Sequence, residues 1–230
     1  MDFKKEVARV AYTLIKDNSS VGLGDGTTAR YLASYVINGI GAGLTLKVYT
    51  SSLQTQDFLE TAGIPVSDIS SVATLDQYFD GCDQIDHQLN ALKSGSGIHT
   101  MEKILASMAK KFIIMADATK YVAKLESKTP LVLEILPLAI SFVHKELQTF
   151  YPEALLSLRK SPENKTDPVL TRNGNYLMDC LFPEWPEPGI IQNQCKNITG
   201  VVEISLFYDL VDEAIIVGDQ GILRYERKNN

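Results

Sequence analysis

The first 125 residues of the chain alternate between segments with a strand pattern and segments with a helix pattern. Apolar residues recur at helical spacing over 2–16, and a short β-rich run at 20–23 then meets the glycine turn GDGTT at 24–28. Strands joined by helices usually lie parallel in one sheet that helices cover on both faces. The other predicted elements are a helix from about Ala29, strands at 44–52, 64–69, 77–79 and 111–117, and helices at 54–63 and 100–109.

The pattern changes after about Leu125. Two β-rich runs within 168–182 flank Asn173-Gly174, the residue pair most typical of a tight hairpin. Strand, helix, hairpin, helix and strand in this order predict a small α+β domain of the ferredoxin-like type. The elements around the hairpin are a strand at 131–137, a helix at 138–150, a helix at 190–200 and a strand at 201–207.

We therefore predict an α/β fold with a Rossmann-like parallel-sheet domain and a smaller ferredoxin-like α+β domain inserted into it. The catalytic domain is expected over 1–125 and 201–230, and the inserted domain over 126–200. A terminal hairpin around 219–221 is expected to dock on the first domain.

Charge and cysteine usage argue against several classes of partner. The chain has 22 Lys and Arg against 28 Asp and Glu, a net charge of −6, and its longest basic runs are two residues long. We therefore expect no nucleic-acid partner. No segment approaches the roughly 18–20 apolar residues of a membrane span, so we expect no membrane partner. Cys82, Cys180 and Cys195 have no metal-ligand spacing, which is typical of a reducing cytoplasm and predicts no metal.

The turn GDGTT lies between a strand and a helix, where backbone N–H groups and the helix dipole favour an anion. Hydroxyl groups of Thr27 and Thr28 would suit a phosphate. The alternative is an ordinary strand-to-helix turn with threonine as the N-cap. The segment has neither a Walker lysine nor a full GxGxxG pattern, so we expect no nicotinamide cofactor.

Three further segments carry charged residues near strand or helix ends. Asp80 and Asp83 end a predicted strand, where paired carboxylates can hold sugar hydroxyls and move protons, although a polar turn is the alternative. Lys93 precedes a Gly/Ser turn, and Glu102 follows in the first turn of a helix that Thr100 opens. Spacing alone favours Thr100 as a helix cap there. Lys120 follows the strand at 111–117, where a single lysine is usually only a solvated charge.

The joint order of these segments resembles the ribose-5-phosphate isomerase A family. That family has a GTGST loop, a DGADE turn, a KGGG…TxEK segment and an ADxSK segment in this order. This chain has GDGTT at 24–28, DGCDQI at 80–85, KSGSGIHTMEK at 93–103 and ADATK at 116–120. The resemblance extends over nearly the whole chain, including LVLEILPLAISFV, TRNGNYLMD and GVVEISLF.

The resemblance implies isomerisation of ribose 5-phosphate to ribulose 5-phosphate in the pentose phosphate pathway, through a cis-enediol and without metal or organic cofactor. It also implies a homodimer or homotetramer. Glu102 matches the catalytic base, Asp80 and Asp83 match the carboxylates that handle the sugar hydroxyls and ring opening, and Lys93 matches the lysine that stabilises the oxyanion. His87 and His99 match no catalytic position. The implied substrate contacts are Asp25, Gly26, Thr27, Thr28, Gly81, Cys82, Ser94, Gly95, Ser96, Lys120 and Lys4, with Lys5 as the alternative to Lys4.

Some residues depart from the family pattern. Asp25 stands where the family usually has Thr or Ser, and a carboxylate ~4 Å from a phosphate costs about 1 kcal/mol in water and about 4 kcal/mol at an effective dielectric of 20. Either Asp25 points away, or it pairs with a lysine, or the ligand differs. Ser94 and Ser96 replace glycines, so a positive φ there would carry strain. Gln84 replaces the acid that often follows the second aspartate.

These departures leave two alternatives open. One is a diverged paralogue that isomerises another sugar or sugar phosphate. The other is a non-catalytic protein that binds a sugar phosphate, although a pure binding protein has no need of a base such as Glu102.

Overall fold

The computed structural model describes residues 2–161 and 166–227, which fold around three β-sheets. The helices are α1 (Phe3–Tyr12), α2 (Gly26–Gly41), α3 (Leu53–Thr61), α4 (His99–Met108), α5 (Ile140–Phe150) and α6 (Pro188–Lys196). The strands are β1 (Ser19–Leu23), β2 (Leu46–Thr50), β3 (Gln77–Asp80), β4 (Gln84–Asp86), β5 (Ala91–Leu92), β6 (Phe112–Asp117), β7 (Tyr121–Val122), β8 (Leu131–Ile135), β9 (Leu155–Leu158), β10 (Tyr176–Leu181), β11 (Val201–Ile204), β12 (Leu206–Phe207), β13 (Glu213–Gly218) and β14 (Gly221–Glu226).

The largest sheet has six strands in the order β14-β13-β6-β3-β1-β2. Its strands run parallel except for β14, which closes the terminal hairpin with β13 at one edge. Val7 of α1 and Leu32 of α2 pack with Ile113 on one face of this sheet. Leu105 of α4 packs with Phe112 on the other. The predicted parallel sheet with both faces covered, and the docking of the terminal hairpin on it, are confirmed.

The second sheet has the order β11-β8-β10-β9, and all its neighbouring strands are antiparallel. Along the chain its elements follow as β8, α5, β9, β10, α6 and β11. This is the strand–helix–strand–strand–helix–strand pattern predicted for the α+β domain. Val143 and Leu147 of α5 and Ile191 of α6 pack with Leu133 in one apolar core.

In the hairpin predicted around Asn173-Gly174, the second strand does not pair mainly with the first. Only its second run forms a strand, β10, whereas the first run makes isolated bridges, from Leu170 to Tyr176 and from Pro168 to Lys160. The turn is closed locally, since the amide of Thr171 donates to the Asn175 carbonyl at 2.8 Å. The true neighbours of β10 are β8 and β9. The sequence analysis missed β9 because its residues, LLSL, do not alternate between apolar and polar as in a typical half-buried strand.

Two other predicted strands are corrected. Residues 64–69 form no strand: only Val66 makes a bridge to Val48, and Ile69–Ser71 is a 3-10 turn capped by the Asp68 carboxylate. The predicted strand at 201–207 is split at Ser205, because β11 pairs with β8 while β12 pairs with β5. Val201–Ile204 therefore belongs to the second sheet, although we predicted 201–230 with the first domain.

The third sheet, β12-β5-β4-β7, follows directly from β3 and adjoins the second sheet at Ser205. The amide of Lys93 donates to the Ser205 carbonyl at 3.0 Å, and the Ser205 hydroxyl accepts from the amide of Val132 at 2.8 Å. This small sheet therefore links the loop after β5 to both larger sheets, and that loop begins at Lys93.

Candidate active site

A pocket of about 280 Å³ opens at the carboxyl ends of β1 and β3. Ligands of open parallel sheets usually bind at this edge. Asp80 and Ser94, although predicted as site residues, are buried and do not line the pocket. The other predicted site residues do line it: Lys4, Asp25, Gly26, Thr27, Thr28, Gly81, Cys82, Asp83, Lys93, Gly95, Ser96, Glu102 and Lys120.

At the inner end of the pocket one buried lysine lies between two buried carboxylates. Lys93 Nζ lies 2.9 Å from Asp80 Oδ2 and 3.2 Å from Glu102 Oε1. It also donates to the carbonyl of Gly81 at 2.8 Å. Neither carboxylate oxygen of Glu102 accepts a hydrogen bond from the described residues. The lone pairs of Glu102 therefore remain available to a ligand.

Burial sets the protonation behaviour of this cluster. Loss of solvent raises the pKa of Glu102 to about 8; Lys93 opposes this rise and Asp80 adds to it. Burial also opposes the charge of Lys93, but Asp80 and Glu102 together raise its pKa well above the usual value. The result is a carboxyl group that exchanges protons near neutral pH, beside a cation that stays charged.

Asp80 is held on all sides by donors. Its carboxylate accepts from the Tyr78 hydroxyl at 2.5 Å, from the amide of Gly81 at 2.7 Å and from the amide of Asp25 at 3.2 Å. A Cβ on Gly24 would overlap the Asp80 carboxyl group, so this close approach of β1 to β3 requires glycine. Asp80 therefore fixes Lys93 and joins the glycine turn to β3.

Asp83 has a different environment, although it lies only three residues further on. Its Oδ2 accepts from the amides of Ser94 and Gly95, at 2.6 and 2.8 Å, and the carboxylate lines the pocket. It therefore anchors the 93–97 loop while still facing a ligand.

The serines of that loop carry no backbone strain. The positive φ of the loop falls on Gly97, at 74°, and the non-glycine residues with positive φ lie elsewhere in the described chain. The Ser94 hydroxyl donates to the Pro130 carbonyl at 2.6 Å. The strain considered for Ser94 and Ser96 is therefore absent, and Ser94 ties the loop to the segment that precedes β8.

The glycine turn at 24–28 starts α2 earlier than predicted. The helix begins at Gly26 rather than near Ala29, and Asp25 occupies the N-cap position, so Thr27 and Thr28 lie in the first turn and neither is the cap. The Asp25 carboxylate accepts no hydrogen bond from the helix amides. It accepts instead from the hydroxyl of Ser52, the N-cap of α3. Of the three arrangements considered for Asp25, the structure has it turned towards α3 and paired with a hydroxyl, not with a lysine.

Two lysines stand near this helix end. Lys4 of α1 lines the pocket, whereas the alternative Lys5 does not. Lys120, in the turn after β6, also lines the pocket and donates to the Cys82 carbonyl at 2.6 Å. The helix N-terminus and these two cations make the outer end of the pocket suited to an anion.

Thr100 does not cap α4, because the N-cap is Ile98 and the Thr100 hydroxyl donates to Glu134. The ring of His87 packs at a tilt against Tyr121, and burial lowers the pKa of His99 to about 4; neither histidine lines the pocket. Burial raises the pKa of the Cys82 thiol to about 12, so it stays protonated.

Sequence analysis overlooked Tyr78, Ser52 and Glu134. Tyr78 was detectable, because residues two apart on a strand share a face and Asp80 was already singled out. No pattern in the neighbouring sequence indicated Ser52 or Glu134.

Within the described ranges, no cluster of three or more His, Cys, Asp or Glu side chains is placed to hold a metal. Likewise, no helix there has the length and apolar character needed to cross a membrane.

Comparison with known proteins gives consistent matches over nearly the whole chain. The chain is 35% identical to ribose-5-phosphate isomerase A of Pyrococcus furiosus over 228 residues, covering 98% of each protein. It is also 35% identical to the same-named protein of Prochlorococcus marinus, covering 93% of this chain and 90% of the relative.

Solved structures agree with these relatives. Ribose 5-phosphate isomerase A of Methanocaldococcus jannaschii superposes with a TM-score of 0.90 at 30% identity, covering 98% of both chains. A D-ribose-5-phosphate isomerase in complex with phospho-erythronic acid gives a TM-score of 0.91 at 30% identity, again covering 98% of both. A family model described as ribose 5-phosphate isomerase A (phosphoriboisomerase A) matches residues 47–221. With this sequence match, this fold and this pocket, the chain belongs to the ribose 5-phosphate isomerase A family.

Proposed function

We propose that this protein interconverts ribose 5-phosphate and ribulose 5-phosphate, with Glu102 as the base that moves the proton between C2 and C1. The observation that carries the proposal is the buried Glu102 carboxylate, which accepts no hydrogen bond from the described residues and lies 3.2 Å from Lys93 in a pocket whose outer end suits an anion. Isomerisation of a sugar phosphate needs these two features together.

The proton step follows from this arrangement. Glu102 takes the C2 proton of the open-chain aldose, and the C–H electron pair forms the C1–C2 double bond while negative charge develops on the carbonyl oxygen. Lys93 stabilises that oxygen until it is protonated, which gives the enediol. Glu102 then returns its proton to C1, and the C2 hydroxyl loses a proton, which balances the one gained by the C1 oxygen and gives the ketone. A positioned base contributes about 10²–10⁴-fold to such a step.

The remaining residues bind the substrate or support the site. The first-turn amides of α2, the hydroxyls of Thr27 and Thr28, and the cations of Lys4 and Lys120 hold the phosphate. Asp83, which lines the pocket, contacts the sugar hydroxyls. Asp80 lies behind the pocket wall with its oxygens already hydrogen-bonded, so its role is to hold Lys93 rather than to touch the sugar.

The test is the initial rate of ribulose 5-phosphate formation from ribose 5-phosphate with EDTA present. Glu102→Gln should lose about 10²–10⁴-fold in kcat, while Glu153→Gln, at an exposed carboxylate outside the pocket, should match the wild type. A wild-type rate in Glu102→Gln would refute the base. An inactive wild type beside an active Asp25→Thr variant would show that the substrate is not ribose 5-phosphate.

The family resemblance also leads us to propose a homodimer or homotetramer in the cytoplasm. Exposed Leu138, Leu155 and Leu170 around the second sheet support self-association. The three cysteines are buried and unbridged, as in a reducing compartment. Light scattering on the purified chain would test the assembly, and a monomer at micromolar concentration would refute it.

A further inference from the structure

Glu134, on β8, lies outside the pocket. Its buried carboxylate accepts hydrogen bonds from several neutral side chains. Its Oε1 accepts from Thr171 Oγ1 and Asn175 Nδ2, both at 2.8 Å. Its Oε2 accepts from the hydroxyl of Thr100 in the first turn of α4. Burial raises the pKa of Glu134, but the hydrogen bonds from Thr100, Asn175 and Thr171 outweigh it, so the pKa is lowered overall and the group is charged at neutral pH.

The first turn of α4 carries Glu102 and lacks the usual side-chain cap. Its N-cap is Ile98, which offers no oxygen to the helix amides. The turn is attached through its flanking residues instead: Thr100 to Glu134, and Lys103 to the β11–β12 segment. Lys103 Nζ donates to Glu203 Oε1 at 2.9 Å and to the carbonyls of Ile204 and Leu206 at 2.6 and 2.8 Å.

Glu102 depends on these attachments because its own carboxylate accepts no hydrogen bond from the described residues. It forms an ion pair with Lys93 at 3.2 Å. The position of its oxygens is therefore set by the helix backbone, and a shift of about 1 Å in a reacting group can cost about 10²-fold in rate.

We propose that Glu134 is a positioning residue for the isomerisation: through the Thr100 hydroxyl it holds the first turn of α4 so that Glu102 faces the substrate carbon. This inference rests on the proposed role of Glu102 as the base. It also gives the second sheet a part in the reaction, because Glu134 lies on β8 of that sheet.

Thr100→Val removes the hydroxyl and keeps the shape of the side chain. Thr171→Val is the matched control, because it removes a hydrogen bond to the same carboxylate from a residue that is not on α4. We expect Thr100→Val to lower kcat at least about tenfold with KM within about twofold, since the phosphate-binding elements are untouched. Thr171→Val should keep kcat within about twofold, and Thr100→Ser should restore it.

Thermal unfolding of both valine variants separates catalysis from stability. Equal losses of kcat in the two variants, or an unchanged kcat in Thr100→Val, would overturn the positioning role. If Thr100→Val does not fold, Thr100→Ala makes the same comparison with a residue of higher helix propensity. Glu102→Gln is assayed beside them. If it retains full activity, Glu102 is not the base. If Glu102→Gln is inactive while Thr100→Val has a normal kcat, only the inference about Glu134 is refuted.

Discussion

Replacing Lys93 with methionine removes the cation that lies between Asp80 and Glu102 and leaves two buried carboxylates without the cation they share. The lysine is within 2.9 Å of one carboxylate and 3.2 Å of the other. At an effective dielectric of 20, each contact corresponds to about 5 kcal/mol of attraction before desolvation is subtracted. Removing one member of a buried ion pair typically costs about 3–5 kcal/mol of folding stability.

The protein can reduce this cost by protonating Glu102. Burial already raises the pKa of Glu102 to about 8, and Lys93 is the neighbour that keeps it from rising further. Without the lysine the pKa rises, and each unit corresponds to about 1.4 kcal/mol. Near neutral pH the variant then has less of the ionised base and also lacks the donor to the oxyanion. Loss of such a donor alone costs about 10²–10³-fold in kcat.

The assay is kcat for ribose 5-phosphate isomerisation across the pH range in which the enzyme stays folded. For Lys93→Met we expect a loss of at least about 10²-fold in kcat and an acid limb displaced to higher pH. Lys120→Met is the control: its ammonium lies at the outer end of the pocket, so KM should rise while the position of the acid limb stays unchanged. An unshifted acid limb in Lys93→Met, or an equal shift in Lys120→Met, would refute the reasoning.

Because only ionised Glu102 can take a proton and its pKa is about 8, wild-type kcat/KM should rise about tenfold per pH unit below that pKa and level off above it; a flat profile from pH 6 to 9 contradicts this. Gly24→Ala places a methyl group against the Asp80 carboxyl group, so kcat should fall by at least about tenfold. Gly41→Ala, where a Cβ meets open space, should leave the rate unchanged; equal rates in the two alanine variants would refute the packing argument.

Much of the fold was predictable because its signals are local. Helical and strand periodicities over 1–125 depend only on neighbouring residues, and they predicted a parallel sheet with a site at its carboxyl edge. The four ordered segments contain every residue that lines the pocket except Lys4, and among them are Lys93 and Glu102. Failures occurred where pairing decides the structure, as when 168–172 was predicted to pair with β10 in place of β9.

The amino-acid sequence by itself determined the class of fold, the family and which side chains meet at the pocket, because strand–helix alternation and motif order are properties of short segments. Tertiary structure alone decided where Asp25 points, which partner Thr100 has and where the strand at 201–207 breaks. In each case the partner is distant along the chain: Ser52 for Asp25, Glu134 for Thr100, and Val132 for Ser205. A hydrogen bond between such residues exists only after folding has brought them together, so no local pattern predicts it.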